Sequence, residues 1–474
     1  MIADLKPYPA YRQGEGGWLG EVPSHWSIRR MKYVVREIDS RSTTGKEQLL
    51  RISQYTGVTQ RRRTDGLEEP DTRAESLVGY KRVEPDDLVI NIMLAWNGSM
   101  GVSRYEGIAS PAYCVYRFGR DLQPWYFHNL LRSPDYKARI KASSTGVVES
   151  RLRLYSGDLG RIEAMLPPPD EQAAIVQFLD WANGRLERAI RAKRKVIALL
   201  NEQKQAIVHR AVTRGLDPSV PLKPSGIPWL GDIPHHWEVL PLKGICAIQS
   251  GITVGKEYAG QALREYPYLR VANVQAGHVN LSVVKTIRVT RAEADRCMLQ
   301  SGDVLMTEGG DLDKLGRGCV WNAEVSPCLH QNHVFAVRPN QSRLDPRFLS
   351  ALMGTSYARA YFQSTAKQTT NLAATNKTKL GMFKVLLPGV DEQHRILSRL
   401  DEELWPVNIA TSRLEREIEL LREYRTRLVA DVVTGKLDVR EASARLPDEA
   451  PLDSVGDDTN LCDETEAADE EVAL

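Results

Sequence analysis

The sequence of 474 residues has no run of 18 apolar residues, so no transmembrane helix is expected. Met1 to Gln13 lack the apolar stretch of a secretory signal. The six cysteines (Cys114, Cys246, Cys297, Cys319, Cys328, Cys462) never form a Cys-x-x-Cys pair. That argues against a disulfide framework, and a reducing, cytoplasmic setting is expected. Lys and Arg are absent after Arg445. All 63 bases therefore precede residue 446, whereas eleven of the 61 acids follow Arg445, so a body of charge +13 carries a tail of −11. A basic body suits a polyanionic partner, although a merely solvated basic surface would have the same charge. The tail has no aromatics and is expected to be disordered. Apolar residues make up 42% of the chain, enough for several cores, and the length suggests about three domains.

Catalytic signatures are also missing. No G-x-x-x-x-G-K-[ST] loop occurs; Gly251-Ile252-Thr253-Val254-Gly255-Lys256-Glu257 is one residue short and lacks the metal-binding hydroxyl. There is no G-x-G-x-x-G after a strand, no H-E-x-x-H, and no Asn-Pro-Pro-aromatic motif of an amino-methyltransferase. Cys319, Cys328, His330 and His333 have no standard zinc spacing, and packing between strands and loops is expected for them. No nucleophile, base and orienting group can be assembled from the sequence. No catalytic residue, no metal site and no cofactor on this chain are expected; the pattern is that of a binding and scaffolding chain.

What is present is a duplication. Trp18-Leu19-Gly20-Glu21-Val22-Pro23-Ser24-His25-Trp26 recurs 211 residues later as Trp229-Leu230-Gly231-Asp232-Ile233-Pro234-His235-His236-Trp237. Leu166-Pro167 with Asp170-Glu171-Gln172, and Val212-Thr213 with Leu216-Asp217, recur 221 residues later. Each half is thus a constant opening, a variable block and a constant closing segment, with the second block ten residues longer. His25 and His236 read as turn or packing residues.

The closing segments carry a heptad stripe. In the first it runs Leu186, Ile190, Lys193, Ile197, Leu200, Lys204, Ile207, Ala211. In the second it runs Leu404, Val407, Thr411, Leu414, Ile418, Leu421, Arg425, Leu428, Val432, with Pro406 near its start. Two such stripes in a duplicated chain predict an antiparallel pair. About 32 helical residues at ~1.5 Å each would span roughly 48 Å. Asp170 and Asp391 read as N-caps, and the neighbouring Glu and Gln as parts of helix starts. Leu88–Ile92, Val304–Thr307, Leu50–Ser53 and Tyr268–Ala272 read as strands, and Pro124–Leu131 and Pro346–Met353 as helices.

Together, the W-L-G-x-x-P-x-H-W pair, the L-P-x-x-x-E-Q-x-x-I openings at 166 and 387, the Ala211-Val212-Thr213-Arg214-Gly215-Leu216-Asp217 helix end and Ser110-Pro111-Ala112-Tyr113 resemble the specificity (S) subunit of a type I restriction–modification system. The resemblance spans residues 8–440. It implies an α+β fold: two mixed α/β target recognition domains separated by two long antiparallel coiled-coil helices, with a pseudo-two-fold internal repeat. The expected layout is recognition domains at 1–165 and 229–386, spacer helices at 166–215 and 387–438, a linker at 216–228 and an acidic tail at 439–474. The resemblance further implies that each domain reads one half of a bipartite, asymmetric site in double-stranded DNA. The helices would set the gap and dock two methyltransferase (M) subunits, which bind S-adenosylmethionine and methylate adenine. Endonuclease/translocase (R) subunits would bring ATP and magnesium, and one copy of this chain would serve each complex in host defence.

Phosphate contacts use Lys, Arg and hydroxyls, and base edges use Arg, Asn and Gln in loops. Candidates in the first block are Gln54, Tyr55, Gln60, Arg61, Arg62, Arg63, Trp96, Asn97, Ser143, Ser144, Thr145, Arg151 and Arg153. In the second they are Asn273, Gln275, Lys314, Arg317, Lys367, Gln368, Thr369, Thr370 and Asn371. The loops at 141–146 and 367–372 stand at similar distances before the helix openings and form the strongest pair. For each residue a plain solvated loop is the competing reading. Two other functions compete for the chain: an adaptor that never touches DNA, and a self-contained DNA-modifying enzyme.

Overall fold

A computed structural model describes residues 5–14, 17–61, 74, 76–148, 151–310, 316, 318–368 and 373–447. The chain divides into two units, residues 1–192 with 416–474, and residues 193–415.

The same sheet is built in each. In the first unit the strand order is Val35–Ile38, Tyr113–Phe118, Leu88–Asn91, Met100–Val102, all antiparallel. In the second it is Cys246–Ser250, Val334–Pro339, Val304–Thr307, Gly318–Val320, again antiparallel. Leu88-Val89-Ile90 and Val304-Leu305-Met306 are buried on both faces, as continuous apolar runs require. Each run follows a buried aspartate that closes the preceding turn. Asp87 accepts from the Glu84 amide (2.9 Å) and pairs with Arg117 (2.8 Å). Asp303 does the same with the Gln300 amide (2.8 Å) and Arg338 (2.7 Å).

Two helices follow each sheet: Pro124–Leu131 and Pro134–Ser143, then Pro346–Met353 and Ser356–Thr365. Proline at the first turn lacks only an N–H that no helical partner would use. Tyr136 and Tyr357 donate to the Glu163 and Lys384 carbonyls (3.1 and 2.6 Å), tying the second helix of each pair to the strand before the long helix. Those strands, Glu163–Leu166 and Lys384–Leu387, pair antiparallel with the opening strands Ser27–Arg30 and Glu238–Pro241. The second unit adds a ribbon, Arg264–Leu269 with Lys285–Val289. The expected strand at Tyr268–Ala272 thus ends at Leu269, where Val271–Asn273 turns into a short 3-10 helix.

The long helices are Pro169–Arg214 and Val390–Val433, of 46 and 44 residues. Both exceed the expected 32: Ile175, Phe178, Leu179 and Ala182 extend the buried face of the first towards its start, and Ile396, Leu397 and Leu400 do so in the second, which runs on through Pro406. Each unit holds the start of one helix against the end of the other, so the pairing is antiparallel. In the first unit Glu187 pairs with Arg425 (3.3 Å), and Leu179, Ala182, Leu428 and Val432 share a core. In the second, Lys204 donates to Asn408 Oδ1 (2.9 Å), and Ala211 and Val212 share a core with Ile396 and Leu400. The heptad stripe is the covered face: Leu186, Ile190, Val407, Ile418 and Leu428 are buried, and Ile197, Leu200, Ile207, Leu414 and Leu421 are half-buried.

Three boundaries differ from the expected layout. The helices are shared between the units rather than forming separate segments. The 216–228 linker contains a strand, Leu222–Pro224, paired with Asp232–Pro234, and Ile227 packs on the second core. The expected tail at 439–474 begins later, because Val439 is buried in the first core and Ser443 donates to Gln177 (2.9 Å). Residues 448–474 lie outside the described residues.

Candidate nucleic-acid interface

The repeated motifs build the support for the loops. Pro169 and Val390 already lie inside the helices, so Asp170 and Asp391 are first-turn acids and not the expected N-caps. The working carboxylate is the next residue. Glu171 accepts from Tyr8 (2.5 Å), the Trp26 indole (2.9 Å) and bonds His25 Nε2 (2.8 Å). Glu392 repeats this with the Trp237 indole (3.1 Å) and His236 (2.8 Å). Burial and Glu171 together hold the Tyr8 hydroxyl far above the usual tyrosine range. Gln172 and Gln393 accept from the Gln123 and Asp345 amides (3.0 and 2.8 Å) at the start of the block helices, and donate to the Pro167 and Pro388 carbonyls (2.9 and 2.8 Å). The His-Trp and Glu-Gln motifs therefore recur together because they bond each other.

Of the strongest pair of loops, residues 141–143 belong to the Pro134–Ser143 helix and 369–372 lie outside the described residues, but the flanking pairings are alike. In the first unit Thr145 and Arg153 exchange backbone hydrogen bonds (3.0 and 2.9 Å), and the Leu154 amide donates to Ile92 (2.9 Å), just beyond the central strand. In the second, Lys367–Gln368 pairs with Ala373–Ala374, which pairs with Gly309–Gly310, and the Thr375 amide donates to Glu308 (2.8 Å). In each unit these paired residues lie beside the extension of the central strand.

Within the first face, Gln54 and Tyr55 form the turn between Leu50–Ser53 and Gly57–Gln60, and Tyr55 is exposed. Trp96 and Asn97 lie on the turn Ala95–Asn97, which packs on the Pro134–Ser143 helix; Lys141 sits over the Trp96 ring at 5.3 Å. The Trp96 indole donates to Met93 (3.2 Å), and Asn97 Oδ1 accepts from Ser99 (2.9 Å). Gln60 and Arg61 are not part of this cluster. They pair with Leu50 and Leu49 at the other end of the hairpin, about 13 Å of strand away. Ser144 uses its hydroxyl on the Ile140 carbonyl (2.8 Å), closing the helix end. Ser143 is half-buried, and Arg151 and Arg153 are exposed.

Asn273 corrects an expectation. It is buried, its amide donates to Asn280 (2.8 Å) and Val283 (3.0 Å), and its oxygen accepts from Arg270 (2.9 Å). Both amide hydrogens and the oxygen are engaged within its own loop and the side chain is buried, so it does not face a base. Gln275 is exposed and donates to Ala272 (2.9 Å). Lys367 is exposed. Arg62, Arg63, Lys314, Arg317, Thr369, Thr370 and Asn371 lie outside the described residues.

Sequence reasoning missed Val147, fully exposed beside the Thr145–Arg153 pairing, and Arg132, whose role depends on distant carbonyls. The cysteine and histidine group has packing and hydrogen-bonding roles. Cys319 and Cys328 are core residues, His330 Nδ1 bonds the Val334 carbonyl (2.7 Å), and His333 pairs with Glu308 (2.8 Å). Burial pushes His330 down to about 4. Among the described residues no group of three or more His, Cys, Asp or Glu could hold a metal, and no helix is long and apolar enough to cross a membrane.

The fold and its loops define a duplicated recognition scaffold, with one variable polar face in each unit and long helices running from one unit to the other. Comparison with known proteins places it. The family described as type I restriction modification DNA specificity domain matches residues 234–419. The type I restriction enzyme EcoKI specificity subunit of Escherichia coli (strain K12) is 23% identical over 332 residues, covering 68% of each chain. The MjaVIII specificity subunit of Methanocaldococcus jannaschii is 21% identical over 371 residues, covering 76% of this chain and 83% of that one. A solved chain from work on assembly and conformational transition of the type I R-M system superposes with a TM-score of 0.58 at 18% identity, over 88% of this chain and 99% of that one. Residues 234–419 of this chain thus match the type I restriction modification DNA specificity domain, and over most of its length the chain is similar to type I restriction enzyme specificity subunits.

Proposed function

We propose that this chain is the DNA-reading subunit of a type I restriction–modification complex, acting in the cytoplasm. Each variable block reads one half of a split site, and the helix pair sets the gap between the halves. The observation that carries this reading is one four-stranded topology used twice, with similar backbone pairings beside each central strand and different residues in them. Different loops on equivalent supports suit two different half-sites. Joining both blocks in one chain raises the effective concentration of the second contact once the first has formed.

The chain itself catalyses nothing in this reading. Two methyltransferase subunits would supply S-adenosylmethionine chemistry, and endonuclease subunits ATP and magnesium, around one copy of this chain. The outer faces of the helices suit such docking: Trp405 and Ile409 in the second unit, and Leu420 and Tyr424 in the first, are exposed large side chains away from the heptad stripe.

The test is a block exchange. Residues 27–165 are replaced by the corresponding block of another specificity subunit, and the recognised sequence of the assembled complex is determined. One half-site changes and the other half and the gap stay. A change in both halves contradicts the modular reading.

A further inference from the structure

Arg132 follows the last residue of the Pro124–Leu131 helix and ends in a cage of carbonyl oxygens. Its Nη1 donates to Met100 (2.6 Å), Gly98 (3.0 Å) and Ser53 (3.4 Å). Its Nη2 donates to Tyr55 (2.8 Å) and Gln54 (2.9 Å). These five carbonyls belong to two segments far apart in sequence, the turn at 53–55 and the loop at 98–100. The first carries Gln54 and Tyr55, and the second directly follows Trp96 and Asn97. A planar guanidinium with five N–H donors can bridge two loops at once, which a lysine ammonium cannot do in one plane.

The surroundings leave little slack. Gly57 has φ +78°, and a Cβ there would stand 3.1 Å from the His128 ring. Gly98 has φ +100°, and a Cβ there would meet Lys137 at 3.0 Å. His128 Nδ1 accepts from the Val102 amide (3.1 Å), a role for the neutral ring. Burial, with Arg132 and Arg104 nearby, pushes that histidine down to about 3. Burial lowers Arg132 itself to about 10, so it stays charged near neutral pH. In the second unit the residue after the equivalent helix is Gly354. The cage is therefore a feature of the first block.

We propose that Arg132 is a positioning residue for DNA reading by the first block: it locks the 53–55 turn and the 98–100 loop into one rigid unit, so that Gln54, Tyr55, Trp96 and Asn97 meet the DNA in a single arrangement. Base-edge readout needs donors and acceptors placed to within a few tenths of an ångström, and a loop ordered only on binding loses affinity and discrimination. This inference deepens the recognition reading and rests on it.

The experiment uses the full chain assembled with its methyltransferase subunits. Duplexes are selected from a random-sequence library by wild type, R132M and R132K, and melting is recorded for each complex. Wild type selects a split sequence. R132M loses base preference in one half by about tenfold or more, keeps the other half and the gap unchanged, and R132K recovers part of the loss. R132M selecting both halves as wild type does overturns the positioning role. So does a parallel loss of both halves in complexes that still melt cooperatively. If R132M fails to assemble, R132K decides alone: an unchanged first half contradicts the proposal, and a selective weakening supports it. A wild-type complex that selects no split sequence contradicts the recognition reading itself, and the positioning role falls with it.

Discussion

Glu171 shows how one carboxylate can hold together segments distant in sequence. It accepts from Tyr8 and the Trp26 indole and bonds His25, while its own backbone starts a long helix. Its side chain is only 4% exposed, against 20% for Glu392, which bonds Trp237 and His236. Truncation strands buried donors, and each costs about 1–3 kcal/mol. E171A is expected to destabilise the first unit by roughly 3 kcal/mol, a fall in melting temperature of roughly 6–12 °C. E392A should cost clearly less. Calorimetry checks this, and equal losses would contradict the ranking. The residues of this network were visible in sequence as a repeat, but their bonding was not. The recurrence of Asp-Glu-Gln pointed to a helix start, and only the fold turns Glu171 towards Trp26. Asn273 and Arg132 show the same limit. Asn273 was named as a candidate and Arg132 was not, because the carbonyls around each come from residues distant in sequence or placed by the fold.

The long helices were the most legible elements, because a heptad is a local pattern that burial then confirms position by position. Their starts were less legible. Pro169 reads as a boundary, yet proline is well accommodated in a first turn, so the helix includes it. Hairpins were harder still. Gln60 and Arg61 are near Gln54 in sequence, but the register of the strand pair carries them to the opposite end. The similar placing of the Thr145–Arg153 and Lys367–Ala374 pairings was only approximately legible, from a set distance before a repeated motif, because the helix before the first runs on to Ser143. If the helix pair sets the gap, one heptad inserted into each helix near Leu200 and Leu414 adds about 10 Å, or about three base pairs. The recognised halves should stay the same and the unspecified gap should lengthen. Selection or footprinting reads this directly, and an unchanged gap with both halves intact contradicts the spacing role.

At the scale of the whole molecule, duplication with divergence is the central feature. The two sheets, the two helix pairs and the two carboxylate hubs are alike, whereas the Arg132 cage, the Arg264–Val289 ribbon and the loop sequences differ. Common supports with unlike faces suit a chain that must hold two reading surfaces while their targets change independently. The +13 charge of residues 1–445 provides attraction to any duplex, and the loops must supply the choice among duplexes. The most direct test is to co-express the chain with its methyltransferase subunits and map adenine methylation across the host genome by single-molecule sequencing. The account predicts one split motif, two different short halves around a constant unspecified gap, methylated at nearly every occurrence. Methylation of a single continuous motif, or none from a well-assembled complex, would contradict it.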